Sequence, residues 1–174
     1  MIRNKGAGFT LIEILVVMAI IVILASGSYV GFIRFNKQQN LNITRDTLLN
    51  TLNEARSNAL SQVISTTNAP DGCKQAGTSR TLDGHQVSIN TSGSPHYYLL
   101  QEVCSGGGNT FTPTVKRIDL PSGVVFTSVP SSPVRFLIFT GGVNSSATII
   151  IRSGGAGGPT RTVTVNTTGV ISSN

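Results

Sequence analysis

Between Phe9 and Ile33 the chain runs FTLIEILVVMAIIVILASGSYVGFI, and Glu13 is the only charged residue in that stretch. As a helix it would extend ~37 Å, enough to cross a hydrocarbon core of ~30 Å. Arg3 and Lys5 precede it. The positive-inside bias therefore leaves the first residues cytoplasmic and places everything after Arg34 beyond the membrane. A secretory signal peptide has the same basic start and apolar region, and Ala25 and Ser26 offer small residues for its cleavage. That alternative leaves Glu13 without a role. An acidic side chain within a membrane segment costs a few kcal/mol at the helix centre, so a partner for the carboxylate is to be expected.

The run GFTLIE, Gly8 to Glu13, followed by ILVVMAIIVILA, closely resembles the signal of type IV pilins and type II secretion pseudopilins. The resemblance rests on a short basic leader, a Gly at the cut, an aromatic after it and a Glu four residues further on. It implies cleavage by a prepilin peptidase on the cytoplasmic face, between Gly8 and Phe9, and methylation of the new amine on Phe9. It also implies that Glu13 neutralises the amine of an adjacent subunit. Opposite charges attract far more strongly in an apolar setting than in water, and either one left alone is heavily penalised. Glu13 is on this reading a registration device that selects the stagger of neighbouring subunits.

Loss of Arg3 and Lys5 with the leader takes the 13 basic residues to 11 against 7 acidic, a mature net charge of +4. The remaining basic residues are dispersed, with Lys116-Arg117 the only adjacent pair, which describes solvated surface charge better than a nucleic-acid or anionic-surface footprint. Cys73 and Cys104 both fall in the part placed outside the cytoplasm, where oxidation is permitted. A single disulfide is expected; two reduced, separately buried cysteines are the alternative. Two thiols cannot furnish the ligands of a structural zinc site alone, and His85 and His96 show no ligand-like spacing with them. No metal and no cofactor are therefore expected, and the histidines read as surface residues.

After the apolar run, Leu41, Leu48, Leu52, Ala55, Ala59 and Val63 keep one helical face apolar. Gly27 and Gly31 weaken helix propensity between the two stretches by up to ~1 kcal/mol each. Pro70, Asp71 and Gly72 then mark a turn. Short strand patterns follow: HQVSIN, HYYLLQEV, TVKRIDL, VVFT, VRFLIF, TIIIR, RTVTVN and GVIS. In the seventh, Val163 and Val165 alternate with Thr162 and Thr164, the period of a half-buried strand. The expected fold class is α+β. A long N-terminal helix, membrane-spanning in its first half and amphipathic in its second, packs on a C-terminal antiparallel β-sheet head. The expected divisions are a leader, 1–8; a transmembrane and assembly helix, 9–33; the amphipathic helix of the head, 34–65; and the β-rich head, 66–174.

The tail, FLIFTGGVNSSATIIIRSGGAGGPTRTVTVNTTGVIS, resembles the H-type pseudopilins and FimT-like minor pilins (GspH/FimT). Some FimT-like proteins take up DNA through C-terminal arginines in the pattern Gly-Arg-x-Arg. The matching stretch here is Gly169-Val170-Ile171-Ser172, without either arginine, which leaves Arg152 and Arg161, flanking a Gly-rich loop, as candidate DNA contacts. Ser153 to Thr160 and Cys104 to Thr110 lack the Lys-Ser/Thr ending of a phosphate loop. No catalytic constellation is present in the sequence, and Glu102 and Asp119 have nothing to mark them as a pair. The expected protein is a non-enzymatic minor pilin or pseudopilin of a bacterial type IV pilus or type II secretion system, with DNA uptake as the alternative. Its expected partners are other pilin subunits, the prepilin peptidase and an inner-membrane assembly platform. The expected location is the inner membrane, single-pass, and then the filament.

Overall fold

The computed structural model describes residues 9–64, 72–74 and 79–174, apart from the side chains at 25–30. Two compact units divide the chain, Met1–Lys37 and Gln38–Asn174. One helix, α1 (Leu11–Leu60), supplies residues to both, and its helical backbone is unbroken through Gly27 and Gly31.

In the second unit α1 presents a seam of Leu41, Leu48, Leu52, Ala55 and Ala59, all without exposed surface. Thr44 and Thr51 lie in the same seam, also buried. Their hydroxyls donate to the carbonyls of Asn40 and Thr47, one turn back, at 2.8 and 2.9 Å. Bonding back in this way satisfies a hydroxyl that would be costly to bury alone. The apolar seam ends earlier than the sequence pattern suggests. Gln62 adopts a positive φ of 50°, the helix stops at Leu60 rather than near residue 65, and Val63 is 47% exposed.

The seam packs on two antiparallel sheets. In the first, β1 (Thr81–Asn90) lies between β2 (Tyr97–Gly106) and β6 (Val134–Leu137), while β3 (Asn109–Phe111) and β4 (Thr114–Asp119) both pair with β2. In the second the order is β5 (Val124–Ser128), β7 (Ala147–Ser153), β8 (Thr160–Val165) and β9 (Ile171–Ser173). Val87, Tyr98, Leu100 and Phe136 from the first sheet meet Phe126, Ile149, Ile151, Val163 and Val165 from the second in one core with the α1 seam. Full burial of each large apolar side chain contributes about 1.5–3 kcal/mol. Val163 and Val165 point inward, and Thr162 and Thr164 outward, as the alternation requires.

Two glycines are fixed by close approach. A Cβ at Gly84 would collide with the Phe136 carbonyl, beside the point where the β1–β2 register shifts between Leu82 and Gly84. Gly169 has φ of +78° and a Cβ there would strike the Gly141 carbonyl, so the turn Asn166–Val170 between β8 and β9 requires glycine. The short polar strand β3 has no apolar alternation and was not expected from the sequence.

Both histidines depart from the surface reading. The Nδ1 atom of His96 accepts the backbone N–H of Phe126 at 3.1 Å, its carbonyl accepts that of Leu120, and its ring stacks on Phe126. It therefore ties the end of the first sheet to the start of the second. His85 is buried in β1, and burial pulls its pKa below the ordinary imidazole value, partly offset by a hydrogen bond with the Val63 backbone.

Candidate functional site

In the first unit, Gly8 lies outside the described residues, and Phe9, the expected new N-terminus, is 78% exposed. Helix α1 begins two residues later. The Glu13 N–H donates to the Thr10 hydroxyl at 3.3 Å, and the Ile14 N–H to the Thr10 carbonyl at 3.3 Å. Thr10 is thus the N-cap and Glu13 stands at the third helical position, the spacing of a capping box. The residues Thr10-Leu11-Ile12-Glu13 carry this signal in the sequence itself. Glu13 therefore has a local role besides any intermolecular one, since a carboxylate in the first turn also complements the helix dipole.

Beyond the cap, Leu11, Ile12, Ile14, Leu15, Val16, Val17, Met18 and Ile20 to Leu24 are all exposed. Phe9, Glu13, Ile14, Val17, Met18 and Ile21 line one groove along this helix, apolar except for the carboxylate. A helix that is apolar around its whole circumference needs lipid or other protein to cover it. Among the described residues no helix is long and apolar enough to cross a membrane. The side chains at 25–30, within the apolar run, lie outside that description.

The head carries the remaining candidates. Cys73 and Cys104 are joined by a disulfide with Cα atoms 5.5 Å apart, tying the segment after α1 to β2. Arg152 and Arg161 are not brought together. Arg161 is registered opposite Ile151, whose side chain is in the core, whereas Arg152 follows Ile151 directly and therefore projects from the other face of the sheet. Arg161 is also engaged locally: its Nε donates to Asn42 Oδ1 at 3.1 Å and its Nη1 to the Thr160 carbonyl at 3.0 Å. Glu102 is buried on the core side of β2, while Asp119 is exposed and bridges Arg117 at 2.8 Å, so these two carboxylates do not form a pair. Lys116 reaches Glu54 at 3.9 Å, an exposed contact of little energetic weight.

The described chain thus consists of an apolar, capped helix with a carboxylate in its first turn, followed by an α+β head stapled by a disulfide. The prokaryotic N-terminal methylation motif matches residues 3–29. That motif is the signal of type IV pilins and pseudopilins, and the match is confined to the N-terminal segment of the chain. No curated protein and no solved structure matches the chain.

Proposed function

We propose that the protein is a minor pilin or pseudopilin, a non-catalytic subunit of a type IV pilus or type II secretion pseudopilus, of the GspH/FimT type. Phe9 to Ile33 anchors it in the inner membrane and then packs among the helices of neighbouring subunits, while the head stands outside the cytoplasm. The observation that carries this reading is the exposed apolar helix from Leu11 to Leu24 bearing Glu13 inside the methylation motif. Its apolar surface gains ~25 cal/mol per Å² when neighbours cover it. Glu13 then offers a counter-charge to the Phe9 amine of an adjacent subunit, where an unpaired charge would cost several kcal/mol.

Mass spectrometry of the mature chain tests the processing step. Phe9 is expected as the N-terminal residue, carrying a methyl group; a start beyond Ala25 would return the chain to ordinary signal-peptide cleavage. Gly8→Val is expected to leave the chain unprocessed, because a side chain at the cut would intrude where peptidase groups must approach the backbone. The DNA-uptake alternative gains no support from the placement of Arg152 and Arg161 on opposite faces of the second sheet.

A further inference from the structure

Among the described residues of the head, Phe139 is the most open large apolar side chain, at 70% exposure, and it holds a φ of 66° that bulky residues rarely take. The Thr140 N–H donates to the Ile138 carbonyl at 2.8 Å, so Phe139 is the middle residue of a three-residue turn, in its rare and strained hand. Its neighbours hold it there. The Gly141 N–H donates to the Leu137 carbonyl at 3.0 Å, the Leu137 N–H to the Gly142 carbonyl at 2.9 Å, and the Val143 N–H to the Thr167 carbonyl at 3.0 Å. Glycine or asparagine would take this φ at little cost. The head's own core gives the ring little in return, and a strained residue that persists without such a return is grounds for a functional reading.

Two more apolar side chains share this corner. A Cβ at Gly141 would lie 3.0 Å from Leu60 Cγ, and one at Gly169 would strike the Gly141 carbonyl, which brings Val170 alongside. Leu60 and Val170 are both exposed. With Phe139 they offer roughly 300 Å² of apolar surface, a size at which a patch on a single chain is often functional.

That area decides the occupant. A stable complex between free proteins covers about 800 Å² on each partner, so this surface alone holds neither a soluble partner nor a second head. It serves a molecule already held by another contact, because tethering makes the second contact intramolecular. The larger exposed apolar surface among the described residues runs from Leu11 to Leu24. We propose, on the assembly reading given above, that Phe139, Leu60 and Val170 dock on the head of the adjacent pilin subunit whose helix packs against Leu11 to Leu24. The helices supply most of the contact area. Phe139 adds a rigid aromatic anchor, which loses little freedom on docking because its turn is already fixed. Its seat on the neighbour is an apolar recess the width of one phenyl ring with a polar rim.

The test places photo-crosslinking benzoylphenylalanine at position 139 of the full-length chain and, separately, makes Phe139→Asn and Phe139→Gly, all co-expressed with the remaining assembly components. Irradiated filaments should yield a cross-link from position 139 to another pilin subunit, and detergent-solubilised monomers should not. Both substitutions should lower the ratio of filament to membrane subunit at least about fivefold, as loss of one anchoring side chain does, with cleavage at Gly8 unchanged. The denaturant midpoint of the head should not fall, since both residues accept the left-handed backbone. A lowered midpoint in both variants would show that the ring serves the fold and would overturn the proposal. So would wild-type incorporation of both variants, absence of the cross-link, or a cross-link confined to lipid or to a protein outside the filament. If the wild-type chain itself is missing from filaments, the assembly reading falls and this contact with it; if wild type assembles and the variants match it, the contact alone falls.

Discussion

Leu15 and Leu52 sit on the same helix, yet Leu15 is 62% exposed and Leu52 has no exposed surface. The head closes over its own apolar residues, so its stability is a property of one chain. Among the described residues of the first unit, the large apolar side chains from Leu11 to Leu24 point outward, and on this account other molecules cover them. Two design rules thus operate along one helix. In the head, a narrow seam of Leu and Ala with buried Thr meets two sheets; toward the N-terminus the apolar surface runs round the whole helix, interrupted by one carboxylate. A perturbation in the first unit should therefore be read in assembly, and one in the second in folding.

The sharpest way to break this contrast is to apply one substitution in both places. Leu52→Ala should destabilise the head by about 2–5 kcal/mol, the usual cost of a core cavity, whereas Leu15→Ala should leave head unfolding within about 0.5 kcal/mol of wild type. Denaturant titration of the full-length chain in detergent, followed by near-ultraviolet circular dichroism, measures both. Equal losses would mean that the first unit contributes to head stability.

Removing the staple should cost somewhat less than the worst core cavity. Cys73 and Cys104 are 31 residues apart in sequence, and closing a loop of that length stabilises the folded state by ~3 to 4 kcal/mol in the chain-entropy model. Cys73→Ser and Cys104→Ser together should lower head stability by about that amount without altering processing at Gly8. Thiol labelling of the folded, unreduced wild type should fail at both positions; stoichiometric labelling would show that the bridge does not form.

A smaller effect follows from acid. Burial holds the His85 pKa below the ordinary imidazole value, so as pH falls through about 6.5 the unfolded chain takes up a proton that the folded chain does not. The contribution of His85 to stability is therefore complete above that range and declines below it. His85→Gln should flatten the part of the acid-side slope that lies between pH 5 and 7. An unchanged slope would assign it to other groups.

Much of the architecture was legible because simple periods govern it. Val163 and Val165 alternate with threonines, Leu41 to Ala59 recur at helical spacing, and Asn166 to Gly169 spell a turn, so β8, the α1 seam and the last hairpin follow from the residues. The helix end was misplaced because Val63 continues the apolar period, whereas Gln62 turns the backbone into positive φ before it. His85 and Glu102 were hidden for a different reason. Polar residues on a strand read as its solvent face, and only the register of β1 on β2 reveals that these two point into the core. At the assembly helix, Glu13 stood out from its apolar neighbours, while Thr10 became meaningful only through the bond that caps α1.

That cap supplies the most direct test of the central claim, that Glu13 acts through its charge on a neighbouring subunit. Glutamine serves as well as glutamate at the third position of a capping box, so Glu13→Gln removes only the charge, whereas Glu13→Ala also removes the polar side chain while keeping the backbone N–H that the Thr10 hydroxyl accepts. The measurement is the ratio of processed subunit in sheared filaments to that in membranes, for wild type and both variants co-expressed with the remaining assembly components. The account predicts normal cleavage at Gly8 and at least about a tenfold fall in filament incorporation for Glu13→Gln, close to that of Glu13→Ala, because the buried Phe9 amine of a neighbour loses its counter-charge. Wild-type incorporation of Glu13→Gln would contradict it and leave Glu13 with the cap alone.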